Sequence, residues 1–236
     1  MGPLNGIKVL EFSGIGPGPY CGMLLADLGA DVIRLSWISE KGAHNKFDIH
    51  NRSKRTIVAD LKNPNAIKEI KKLIKEVDVI FEGFRPGVME KLGLSPEECF
   101  KLNKSLVYGR MTGWGQDGPL SSQAGHDINY ISLSGALNAI GDQNSNPSIP
   151  LNLVGDYGGG GMMLAMGILA GVISSSKTGK GQVIDSAMID GSLSLMSFFY
   201  SLKEMGVWKD ERKSNFLDGA AHFYDTYECS DNKYIA

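Results

Sequence analysis

Short apolar runs along this chain alternate with segments whose apolar residues recur every three to four positions. Residues 7–12 read as a buried strand, residues 20–28 as a helix closed by Gly29, and residues 31–35 as a second buried strand. Strand, helix and strand in that order form a βαβ unit, whose right-handed crossover sets the two strands parallel in one sheet. The pattern repeats. Residues 63–77 carry Ile67, Ile70 and Ile74 on one stripe with lysines outside, and residues 78–84 return as strand. Ser95-Pro96-Glu97-Glu98 is a helix start with proline at the first helical position, after which residues 106–111 are again strand. From residue 128 the chain turns helical, with Ile128, Ile131, Leu137 and Ile140 on one face, and residues 157–176 make a second long helix rich in small residues. A strand over residues 182–186 leads into a helix around residues 190–205. The predicted fold class is α/β, a doubly wound, mostly parallel sheet of Rossmann-like type.

Residues 223–229 and 233–236 alternate with period two around Ser230-Asp231-Asn232, a hairpin signal. The expected division is a large α/β domain over residues 1–190, a helical linker over residues 191–221, and the start of a smaller domain over residues 222–236. Because the chain stops inside the second strand of that hairpin, the smaller domain is expected to continue past Ala236.

Composition narrows the class. With 42% hydrophobic residues in 236 positions, the chain can bury a full-sized core. Its 24 basic and 26 acidic residues nearly cancel, so no global field recruits nucleic acid or an anionic membrane, and any anion site must be local. Cys21, Cys99 and Cys229 stand far apart, outside any metal-ligand spacing, and fit thiols in a reducing compartment. The N-terminus runs straight into a strand without a signal core, and the apolar run over residues 160–173 is shorter than the ~20 residues a membrane span needs. The expectation is a cytoplasmic protein with no membrane or nucleic-acid partner and no bound metal.

Two glycine-rich strings invite a nucleotide reading and fail its tests. Gly14-Ile15-Gly16-Pro17-Gly18-Pro19 is not G-x-G-x-x-G, and no acidic residue closes the second strand where a ribose would be held. It reads as a turn that lets helix and strand pack closely. The run from Gly158 to Gly161 lacks the Lys-Ser/Thr of a phosphate loop. Arg52, Lys54, Arg55 and Lys62, with Arg85 after Phe84, put cations near strand ends, where α/β proteins hold phosphorylated ligands.

The chemistry-bearing positions are His126 and Asp156, each read as standing at a helix start. An imidazole and a carboxylate on opposite sides of one carbon can take a proton from one face and return it to the other. The plain alternatives are an N-cap aspartate and a structural histidine. Met162, Met163, Met166, Met188 and Met196 offer either an adaptable apolar surface or ordinary core.

Several strings together resemble the family III CoA-transferase superfamily. They are residues 2–11 (GPLNGIKVLE), 28–34 (LGADVIR), 82–88 (EGFRPGV), 111–116 (MTGWGQ) and 125–130 (GHDINY). The likeness runs from end to end and is greatest to the branch that racemises 2-methylacyl-CoA thioesters. It implies a CoA thioester lying across the ends of the parallel strands, as substrate rather than cofactor, and no other cofactor. Carried over by position, Ala59, Asp60, Leu61 and Lys62 would touch CoA, as would Gly83, Phe84, Arg85, Pro86, Gly87 and Val88, with Lys91 and Arg85 near its phosphates. Gly125, Asp127, Ile128, Asn129 and Tyr130 complete the implied contact set. Relatives commonly carry a basic residue after the second strand; here Trp37 follows Ser36 and offers a ring for adenine to stack on.

In the implied mechanism His126 accepts the α-proton of the (S)-thioester and Asp156 donates from the other face, with amides at both helix starts stabilising the enolate. A CoA-transferase would instead use the carboxylate at position 156 as a nucleophile and have no need of an imidazole at 126, so His126 separates the two activities. A CoA-binding fragment without activity is the third possibility. The resemblance also implies an interlocked homodimer.

Overall fold

The computed structural model describes residues 2–12, 14–37 and 47–236. Six strands, β1 (Lys8–Phe12), β2 (Asp31–Trp37), β3 (Lys54–Ala59), β4 (Val79–Glu82), β5 (Val107–Thr112) and β6 (Gln182–Ala187), form one sheet in the order β3-β2-β1-β4-β5-β6. Every neighbouring pair is parallel, with Leu10 opposite Ile33 on one side and Ile80 on the other. The central strands are buried on both faces, which is why they appear in sequence as apolar runs rather than alternating ones.

Helices cover both faces. On one, α1 (Pro17–Asp27) and α7 (Met163–Thr178) bury Cys21, Leu25, Leu164 and Ile168 against Val9, Phe81 and Val107. On the other, α2 (Pro64–Ile74), α3 (Val88–Lys91) and α4 (Pro96–Leu102) pack Ile70, Ile74, Met89 and Cys99 against Leu10, Ile80 and Tyr108. Proline begins α1, α2 and α4 at their first turns, where its missing N–H costs nothing; Asn63 and Ser95 cap the latter two through their side chains.

Three helical segments depart from the sequence reading. The stretch after residue 126 is two short helices, α5 (Asp127–Leu133) and α6 (Ala136–Ala139), broken where Gly135 takes φ 78°. Ile131 is buried but Ile128 is exposed, so the stripe expected for one continuous helix does not exist. The segment expected as a helix over 157–176 starts earlier, at Leu153, and its first ten residues, Leu153–Met162, wind as a π-helix before α7 begins. The helix around 190–205 is α8 (Met188–Leu195) and α9 (Ser197–Glu204), so the expected boundary after residue 190 falls inside α8.

The π-helical segment and α7 together run 26 residues from Leu153 to Thr178, long and apolar enough by length and composition to cross a membrane. The sequence reading had found no such run, because the glycines that shortened its count do not interrupt this helix. Leu164, Ala165 and Ile168 of the run sit in the core under the sheet. Outside that sheet, β7 (Tyr227–Glu228) and β8 (Tyr234–Ile235) pair antiparallel as the predicted hairpin.

Candidate active site

The strand order reverses between β1 and β4, the position where open α/β sheets bind ligands beyond their carboxyl ends. A cleft of about 470 Å³ opens there, lined by the loop after β1 (Gly14 to Gly18), the loop after β4 (Gly83 to Pro86) and the end of β5 (Met111 to Trp114). His126 and Asp156 both face into it, with Gly125, Tyr130, Asn152, Tyr157 and Met188.

His126 is the N-cap of α5, in extended conformation, and its amide donates to Asn129 Oδ1 at 2.9 Å. That side chain three residues on satisfies the cap amide as a capping box does. Asp156, read from sequence as preceding a helix, lies instead within the first turns of the π-helical segment and caps nothing. Such segments recur at functional sites. Its Oδ2 accepts from Asn152 Nδ2 at 3.2 Å, and its amide donates to Asp127 Oδ2 at 2.8 Å. The amide of Asp156 is therefore committed and is not among the donors available to an enolate.

Burial raises the pKa of Asp156 above its ordinary 3.8; the Asn152 amide acts against this, the neighbouring Asp127 charge adds to it, and His126 lowers it. Gly16, at φ 66°, brings the β1 loop so close that a Cβ there would lie 3.1 Å from Asp156 Oδ2. Behind this loop Lys54 Nζ meets Glu11 Oε2 at 2.6 Å and donates to the Pro19 carbonyl at 2.8 Å, both ion-pair side chains being wholly buried. Burial lifts Glu11 to about 7 and lowers Lys54.

The implied CoA contacts divide into groups. Gly83, Phe84, Arg85, Pro86, Gly125 and Tyr130 line the cleft with the acid/base pair. Leu61, Lys62 and Lys91 line a second hollow of about 360 Å³ with Pro64, Ile67 and Leu92. Ala59, Asp60, Gly87, Val88, Ile128 and Asn129 line neither, Asp60 accepting from the Lys62 amide and Asn129 from that of His126. The Asp127 carboxylate is buried and turned toward the Asp156 amide. Tyr130 packs edge-on against Trp114 at 4.7 Å, and burial pushes its hydroxyl up to about 12.

Most of the basic cluster is also reassigned. Arg52 is paired to Asp27 at the end of α1, and Arg55 to Asp31 at the start of β2, the rim opposite the cleft. With Lys54 in the core, Arg85 remains as the exposed guanidinium that lines the cleft. The Trp37 ring packs against Phe84 at 5.5 Å with the two planes tilted by 53°. Met188 lines the cleft, whereas Met162 and Met166 are exposed and Met196 lines a separate apolar cavity with Phe199 and Trp208.

Sequence reasoning missed His50, Asn152 and Tyr157. Tyr157 follows Asp156 and could have been found by that proximity; His50 reaches the cleft through ring contacts with Tyr20 and Tyr157 at 6.0 and 5.6 Å, which no spacing reveals. Among the described residues no group of His, Cys, Asp and Glu could hold a metal.

An imidazole and a carboxylate whose pKa burial raises thus line one cleft at the switch point of a doubly wound sheet. The chain belongs to CoA-transferase family III, whose profile matches residues 4–236. It is 44% identical over 233 residues to α-methylacyl-CoA racemase of Mus musculus and 45% identical over 233 residues to that of Homo sapiens, covering 99% of this chain and 60% of each relative. The chain thus spans about 60% of the length of these curated relatives. A CAIB/BAIF family protein from Brucella suis superposes with TM-score 0.86 at 28% identity, covering 99% of this chain and 65% of that one.

Proposed function

We propose that this chain carries the proton-transfer site of a racemase acting on 2-methylacyl-CoA thioesters, the activity for which the mouse and human relatives are named. The observation that carries the reading is that His126 and Asp156 face one cleft beside Arg85. The Cα–H bond of the (S)-thioester breaks as its proton passes to the neutral imidazole, the electrons move into the thioester carbonyl, and the protonated Asp156 delivers a proton to the opposite face. The resulting imidazolium and carboxylate run the reverse reaction. The upward shift of the Asp156 pKa supports the donor role, because it favours the protonated carboxyl, which is a poor nucleophile. No cofactor takes part, CoA being the substrate's own carrier; Arg85 meets its phosphates, and Lys62 and Lys91 extend the cationic rim.

The transferase reading stays alive as an outcome, since human succinyl-CoA:glutarate CoA-transferase is 30% identical over 97% of this chain. Incubating (S)-2-methylacyl-CoA with the protein in deuterated water, with a free carboxylic acid present, separates the two. Deuterium at Cα with loss of configuration supports the racemase; transfer of CoA to the acid with configuration retained overturns it.

Free thiols at Cys21, Cys99 and Cys229 fit a cytoplasmic protein. Exposed Leu151, Leu153, Phe198 and Phe223 fit a homodimer that covers them.

A further inference from the structure

The residue between the cleft and the sheet that neither acid/base chemistry nor CoA contact explains is Asp127. It adjoins His126 in sequence, yet its side chain is buried, with 6% of the residue exposed. Burying a carboxylate costs several kcal/mol unless hydrogen bonds or charges compensate it, so a retained one needs a partner. Its partner is neither a cation nor its own helix: Oδ2 accepts the backbone amide of Asp156, 29 residues away, at 2.8 Å, while Oδ1 is buried without a hydrogen bond. The approach is possible only because residue 155 is glycine. A Cβ there would lie 2.6 Å from Asp127 Oδ2 and 3.2 Å from its Cα.

We propose that Asp127 is a positioning residue for the acid/base pair: its carboxylate clamps the π-helical turn that carries Asp156 to the start of the helix that carries His126. The proposal rests on the racemase reading for its consequence, though not for its geometry. Without the clamp, the two proton-transfer groups sit on separate elements joined only by packing. A misplacement on the order of 1 Å is enough to cost about 10²-fold in rate. The same carboxylate also acts through space, since its charge adds to the burial that raises the pKa of Asp156.

Two properties of the clamp are separable by substitution. Asp127→Asn keeps an oxygen acceptor and removes the charge; Asp127→Ala removes both. Gly155→Ala leaves the carboxylate in place and drives it from the Asp156 amide. The test is NMR on the folded chain, following hydrogen exchange of the Asp156 amide and the titration of its carboxyl carbon, beside deuterium incorporation into 2-methylacyl-CoA as a function of pH. In Asp127→Asn the amide stays protected, the Asp156 titration moves to lower pH, and the exchange profile moves with it. In Asp127→Ala and Gly155→Ala the amide loses protection by 10-fold or more, and kcat falls more than KM rises. If the amide keeps its protection in Asp127→Ala and Gly155→Ala, and its carboxyl titrates unchanged in Asp127→Asn, the clamp is refuted. If the Asp156 signals respond as expected while the unsubstituted chain incorporates no deuterium, the clamp stands and the racemase reading falls.

Discussion

Gly191 of α8 crosses Gly159 of the π-helical segment so closely that a Cβ on Gly191 would lie 1.8 Å from the Gly159 carbonyl oxygen. No rotamer relieves that contact, because both partners are backbone. The crossing holds the segment bearing Asp156 against α8, which follows directly from β6. We expect Gly191→Ala to cost about 1–3 kcal/mol of stability, the range of overpacking. Urea unfolding measures it; a change within 0.5 kcal/mol of zero, as at an open surface site, would show that the two elements slide apart freely.

His126→Ala should suppress deuterium incorporation from the (S)-thioester by ~10²–10⁴-fold, the usual contribution of a general base, and from the (R)-thioester less. In the proposed racemase the asymmetry arises because Asp156 acts on the other side of Cα and can still remove a proton there. Equal, small losses with both enantiomers would remove His126 from its face-specific role.

Arg85→Ala should weaken acetyl-CoA binding about 10-fold and flatten its dependence on salt, since a charge-assisted contact to phosphate contributes ~1.5–3 kcal/mol. The side chain is exposed, so melting temperature should hardly move. Calorimetry at two ionic strengths reads both effects. Unchanged affinity would take Arg85 out of the CoA site.

Lys54→Met should destabilise the fold by about 3–5 kcal/mol, because it removes the ion-pair partner of a buried carboxyl and leaves only the more distant charge of Arg34 to offset its burial. The loss should depend on pH. Glu11 already titrates near 7 in the folded chain against 4.5 for an ordinary glutamate, and without Lys54 its folded value rises further. A carboxyl whose folded pKa is raised favours folding while protonated and loses that contribution as pH increases above the unfolded value. Denaturation of Lys54→Met at pH 5 and pH 8 should therefore show the greater deficit at pH 8; equal deficits would mean that Glu11 is not the group left unpaired.

The central strands of the sheet were legible because burial on both faces writes itself into sequence as apolar runs: Val9 to Phe12, Val79 to Phe81 and Leu106 to Tyr108 are all buried, whereas the edge strand β3, exposed from Arg55 to Val58, was not read as a strand. Proline and glycine punctuation placed most helix starts to within a few residues. The π-helical winding over Leu153–Met162 left no such mark, since a run of four glycines carries no apolar stripe whose period could be read. His126, Asp156 and Arg85, singled out in the sequence, line one cleft, but the cleft's limits were not legible. Arg52, Arg55 and Lys54 read as ligand cations until each met a carboxylate contributed by a distant segment: Asp27, Asp31 and Glu11.

By itself, then, the order of residues determined the elements, the parallel sheet and the residue types able to exchange a proton, because these follow from local periodicity and side-chain chemistry. Only the tertiary structure decided which charges are spent within the fold and which face the cleft. It also turned the Asp127 carboxylate onto the Asp156 amide, and brought His50 to the cleft. Such pairings depend on distances between segments 24 or more residues apart, as with Arg55 and Asp31, and a one-dimensional pattern holds no measure of those distances.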